Sequence, residues 1–172
     1  MKKVVLAIAL ASSLALSGCA AGFNAGTNTQ GNSGNGRTAN MDNIQVRNAV
    51  IVVDEKDQTR ATLIATVINK SDTADTLKAL EVDPAIKVEL SPIELKKNQA
   101  VSIGYNSDVK VLMSAAGTTL KAGQFVDVKL VFANNAPIEM SLLVVANNEY
   151  YSDVEVPEVA PSAVATPSPS AS

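Results

Sequence analysis

The sequence has no histidine and no tryptophan, and only one cysteine, three phenylalanines and three tyrosines in 172 residues. The missing imidazole removes Ser-His-Asp and Cys-His catalysis, histidine metal triads and pH switching near neutrality. A single thiol cannot close a disulfide within the chain, so packing and hydrogen bonds must hold the fold. So few rings give no platform on which bases or sugars stack. Positive charge is also short, with 14 Lys and Arg against 17 Asp and Glu and a formal net charge of −3. A mildly acidic chain offers no electrostatic case for nucleic acid, which needs clustered Lys and Arg. The longest apolar stretch falls short of the about 20 residues a membrane-spanning helix requires. Nor is there a sustained helical period of apolar positions with caps at its ends.

What is present begins with a signal. Lys2 and Lys3 open the chain, an apolar stretch covers 4–16, and Ser17 and Gly18 lead to Cys19. A charged start, a short apolar segment and small residues at its end are the layout of a secretory signal. Leu16-Ser17-Gly18-Cys19 resembles the lipobox of bacterial lipoproteins. The resemblance implies that signal peptidase II recognises these four residues and cuts before Cys19, whose thiol carries a diacylglyceryl group. Two or three acyl chains, palmitate among them, then sit on one residue. Each buried methylene contributes about 0.8 kcal/mol, so two chains anchor stably where one does not. The expected location is the extracytoplasmic face of the cell membrane. Removing 1–18 takes two positive charges and no acid, so −3 becomes −5.

Composition divides the remainder. Apart from Phe23, 20–40 is almost free of large apolar residues and is dominated by Gly, Asn and Thr, with Ser33 and Gln30 among them. Such a stretch cannot bury enough surface to offset chain entropy, and 19–40 reads as the lipidated Cys19 with a flexible tether. At the other end, 157–172 is, apart from Glu158, Pro, Ala, Ser, Thr and Val, an extended, disordered tail whose hydroxyls are glycosylation candidates on composition alone. Between them, 41–156 is one domain of ordinary size.

That domain reads as strand after strand. Ile44, Val46, Val50 and Val52 open it, and Ala61, Leu63, Ala65 and Val67 form the next inward row, with Thr62 and Thr66 on the other face. Short strands at 77–82, 86–90 and 93–95 are separated by Asp83-Pro84 and Ser91-Pro92. Val101, Ile103 and Tyr105 alternate with small or polar residues, as do Val109, Val111 and Met113 with Lys110 and Leu112. Val126, Val128, Leu130 and Phe132 give the clearest period of two, and Met140, Leu142, Val144 and Ala146 form the last long strand. Short strands joined by Gly, Asn, Asp and Pro turns predict an all-β fold, an antiparallel two-sheet sandwich with an aliphatic core.

Four features invite chemistry. Asp54-Glu55-Lys56-Asp57, and Asp72 with Asp75, cluster acids that calcium would favour, but without EF-hand spacing they read as solvated turns. Ser107 to Lys110 matches Ser-x-x-Lys, yet it leads into a strand, where no helix aims the amine at the hydroxyl. Met113 and Met140 carry thioethers that copper(I) accepts, but both fall on inward rows where methionine fills space. No catalytic site emerges, and no cofactor is called for.

From 88 to 145 the order of segments resembles the periplasmic copper(I) chaperones called PCu(A)C. The likeness is carried by Val88-Glu89-Leu90-Ser91, Ile93-Glu94-Leu95, Val109-Lys110-Val111-Leu112-Met113 and Leu120-Lys121-Ala122-Gly123-Gln124. It implies a cupredoxin-like or immunoglobulin-like sandwich. In that family a histidine after the Val-Glu-Leu strand, a following methionine and a His-x-Met pair bind copper. Here the first histidine position falls on Ser91 and the pair on Val109 and Val111, so the resemblance implies a scaffold with degenerate metal positions. The chain is also similar to actinobacterial envelope lipoproteins of the LpqE type, through the lipobox, the tether, Ile44-Gln45-Val46-Arg47-Asn48-Ala49 and the strand at 61–69. The expectation is a membrane-anchored, non-enzymatic binding or structural module, with an envelope protein or the cell wall as partner. The alternative is chaperone-like handling of copper or another metal through Met and acidic residues.

Overall fold

A computed structural model describes residues 34–157. The signal at 1–18 with Leu16, Ser17, Gly18 and Cys19, the tether up to 33 and the tail from 158 lie outside the described residues. Ten strands follow one another: β1 (Arg37–Met41), β2 (Ile44–Val53), β3 (Arg60–Asn69), β4 (Asp75–Glu81), β5 (Ile86–Leu90), β6 (Ile93–Leu95), β7 (Ala100–Ile103), β8 (Val111–Ala115), β9 (Phe125–Phe132) and β10 (Ile138–Ala146). A single 3-10 turn, Glu149–Tyr151, comes last, and there is no α-helix among the described residues. Strand β1 begins four residues ahead of the expected start of the domain at 41, inside the stretch assigned to the tether.

The strands build the expected cupredoxin-like sandwich. One layer runs β5-β8-β3-β2, with β7 beside β8 on the flank of β3 and β1 along β2; the other runs β10-β9-β4-β6. The chain crosses between layers at Ser91-Pro92, which ends β5 on one edge and begins β6 on the other. Every pairing is antiparallel except one. The end of β10 turns into the first layer and runs parallel to β2, Val144 to Ala146 against Ile51 to Val53, joining the two layers into one curled sheet. Inward rows from both layers meet in an aliphatic core that includes Val46, Leu63, Val67, Leu95, Met113, Leu130 and Leu142. Each such side chain contributes about 1.5–3 kcal/mol on burial.

Strand β2 departs from a simple period of two. Ile44 and Val46 face the core, but beyond them Ala49, Ile51 and Val53 do. The register against β3 shifts between Arg47 and Val50, where Asn48 and Ala49 together oppose Ala65. Asn48 takes φ 52°, in the left-handed region that one class of such insertions uses. Val50 and Val52 therefore point away from the main core, into a small second cluster. Strand β7 ends before Tyr105, which is exposed, because Gly104 turns the chain at φ 83 and passes so close to Leu63 that a Cβ there would lie 2.5 Å from its carbonyl oxygen.

Candidate functional site at the end of the β5–β8 pair

Strands β5 and β8 pair antiparallel, with Val88 opposite Met113 and Leu90 opposite Val111. That register carries Ser91 to the same end of the pair as Lys110 and Val109. The three positions singled out from sequence thus lie at that end of the pair, Ser91 and Val109 beyond its last paired residues. Ser91 is exposed, Val109 is half-buried against the core, and Val111 is fully buried. A hydroxyl and two aliphatic side chains offer copper(I) no soft donor, so the residues present do not fit the metal there.

The adjoining loop is fastened by its own polar groups. The Ser107 hydroxyl donates to the Ser102 carbonyl (2.7 Å) and accepts from the Val109 N–H (3.1 Å). Lys110 Nζ donates to the Gly104 carbonyl (2.9 Å). Ser107 and Lys110 each spend these groups on backbone, which makes the Ser-x-x-Lys match a loop clasp.

The methionines sit on separate strands. Met113 is sealed in the core at 0% exposure, as expected for an inward row, whereas Met140 on β10 is only half-buried and Met41 on β1 is exposed. Met140 borders a shallow depression of about 440 Å³ over β4, β9 and β10, lined also by Glu81, Asp127, Lys129 and Glu139. Lys129 stands 3.6 Å from Glu81, so the floor is a mixed-charge surface open to water.

The acidic turns are structural. Arg60 bridges Asp54 (2.8 Å) and Asp57 (2.9 Å), and Asp54 also accepts from the N–H groups of Lys56 and Asp57. Hydrogen bonds from the Thr59 hydroxyl and N–H, with the Arg60 charge beside them, hold the Asp57 carboxyl below the usual range. Asp72 pairs with Lys97 in water (2.8 Å). Asp75, by contrast, is buried. It accepts from the N–H groups of Thr76 (2.7 Å) and Asn134 (2.9 Å) and from the Asn135 amide (2.6 Å). Among the described residues no group of three or more Cys, Asp and Glu side chains is placed to hold a metal ion.

The residues that sequence patterns pass over are buried polar ones. Asn69 donates to the Thr73 and Leu95 carbonyls and accepts from Ser71, pinning the loop between β3 and β4 under β6. Thr62, fully buried, donates to the Val111 carbonyl at the head of β8 (3.0 Å). Only its place on the outward row of β3 hints at that bond.

No protein-family model matches the chain, and no curated protein matches it. Solved structures do. The apo PCuAC domain from PmoF1 superposes with a TM-score of 0.56 at 18% identity, over 64% of this chain and 99% of that one. The fold is that of PCuAC domains. The copper-bound PCuAC domain from PmoF2 gives 0.55 at 17% identity, over 64% and 98% of the two chains. The apo PmoF2 domain gives 0.53 at 17%, over 65% and 96%. At such identities the likeness concerns architecture, and ligand chemistry has to be read from the side chains.

Proposed function

We propose that the chain is a lipid-anchored, extracytoplasmic, non-enzymatic module of the cell envelope whose PCuAC-like body holds an envelope protein or the cell wall. One observation carries the proposal. At the end of the β5–β8 pair, where the family resemblance sets copper ligands, stand Ser91, Val109 and Val111, in a chain without histidine. A scaffold lacking those donors leaves its surfaces and strand edges to act. Strand β5 ends its layer and pairs only with β8 among the described residues, and backbone pairing at such an edge is one route to a partner. In this reading Cys19 bears the lipid. Crosslinking in intact cells, followed by fractionation, tests both halves. The parent should give a reproducible crosslinked partner, and Cys19→Ala should leave the membrane fraction. Recovery of the lone protein counts against the partner, and a variant that stays on the membrane counts against the anchor.

Copper handling is the second reading, and the likeness to PCuAC domains, one of them copper-bound, favours it over the first. Its donors would be the exposed Met41 or the half-buried Met140 with nearby carboxylates such as Glu139 and Asp127. Copper(I) accepts thioethers, but ligand identity governs metal choice more than fold does. This reading requires stoichiometric copper(I) binding well above that of a surface carboxylate.

A further inference from the structure

The outer face of the β2–β3 layer carries an apolar strip that the main core does not use. Val50 and Val52 lie there at 2% and 0% exposure, flanked by Ile64 and Val145. They face outward because of the insertion at Asn48. What covers them is the chain's own stretch after β10, through Val154 with Tyr151 and Val156.

That cover is attached differently from every strand. The Asn147 N–H donates to the Val53 carbonyl (3.0 Å). Beyond this root the backbone bonds are local, from Tyr151 to Asn148, Ser152 to Glu149 and Val154 to Tyr151. Side chains make the remaining links to the body. Asn148 donates to Glu55 (3.0 Å), Asn35 donates to the Tyr151 hydroxyl (3.3 Å), and Lys110 lies 3.9 Å from the exposed Glu155. At the root, Glu149 holds φ 45, a backbone conformation that costs a residue with a Cβ. A segment with few apolar anchors and no ladder bonds opens at lower free energy than the strands beneath it.

We propose that 148–156 is a releasable latch. The strip beneath it is a docking surface for a partner segment that presents an aromatic and then two aliphatic side chains through a turn, the chemistry and spacing of Tyr151, Val154 and Val156. The docking half rests on the reading of the chain as a partner-binding module; the latch does not. A competing segment of that chemistry displaces the latch by mass action.

Hydrogen exchange by NMR on the full chain tests it. Amides of Tyr151, Ser152 and Val154 should exchange at least about a hundredfold faster than those of Val52 and Leu63. Val154→Asp should speed the first group by about tenfold more and leave the second within about twofold. Equal exchange in both groups, or equal acceleration by the substitution, means that the stretch opens only with the whole body, and overturns the latch. A synthetic peptide of residues 148–157, added to the Val154→Asp chain, should shift the Val50, Val52 and Ile64 methyls saturably, whereas the same peptide carrying Val154→Asp should not. A latch that opens while the peptide fails to bind overturns the docking surface. If the latch opens and the peptide binds but no partner is crosslinked in cells, the envelope reading falls and the latch stands.

Discussion

Asp75 is 3% exposed, and burial by itself pushes its carboxyl up toward the neutral acid. The Asn135 amide and the N–H groups of Thr76, Asn134 and Ala133 push the other way and prevail, so the group titrates below its ordinary 3.8. The folded value is the depressed one. The stabilisation it brings is therefore fully present above the ordinary carboxylate value and is lost as pH falls through the folded value. Asp75→Asn sets an amide N–H₂ against the Asn135 donor or leaves a buried N–H idle. Such a loss costs roughly 1–3 kcal/mol at neutral pH. Denaturant unfolding should show that cost at pH 7 and a much smaller gap between parent and variant near pH 2. A gap that persists unchanged in acid would mean that Asp75 is neutral in the fold. From sequence, Asp72 and Asp75 look alike, two acids in one polar turn. Their difference arises because Asn134 and Asn135, some 60 residues away, are brought over one of them.

Among the elements, β2 is the long strand whose pattern misleads. Its even-numbered valines continue the row opened by Ile44 and Val46, so a period of two groups Val50 and Val52 with them. One inserted residue reverses the faces, and neither composition nor spacing marks the insertion, since Asn48 is an ordinary polar residue in an exposed position. Asn tolerates the left-handed backbone and a β-branched residue does not. Asn48→Val should therefore destabilise the fold by roughly 1–2 kcal/mol, while Asn48→Gly stays within about 0.5 kcal/mol of the parent. Equal stability of all three in urea would show that the insertion is not required. Strand β4 has a smaller shift of the same kind, between Leu77 and Ala79, so that Leu77 and Leu80 both reach the core, and β1 lies in a stretch too polar to show a row. Strands with unbroken alternation were the legible ones. β9 runs Phe125–Phe132 with Val126, Val128, Leu130 and Phe132 inward, as its period indicates. The parallel joint of β10 with β2 was not legible, because it pairs residues some 90 positions apart through a bend at the end of a long strand.

At the scale of the molecule, fold and site separate. The alternating rows and turn residues carry the sandwich, and the architecture is that of PCuAC domains. The register brings Ser91, Val109 and Val111 to one end of the β5–β8 pair; that placement was legible, while its standing as a site is what the resemblance implies. What that place or the latch-covered strip binds was not legible, because a partner's chemistry leaves no period in the chain that holds it. The most direct measurement is a copper(I) titration of the purified protein against a chromophoric chelator. Ser91→His with Val109→His and Val111→Met serves as comparison, its folding followed by circular dichroism. The parent should leave the chelator's copper in place and the substituted chain should withdraw one equivalent. A parent that withdraws one equivalent by itself would contradict the proposal that this scaffold has given up the metal.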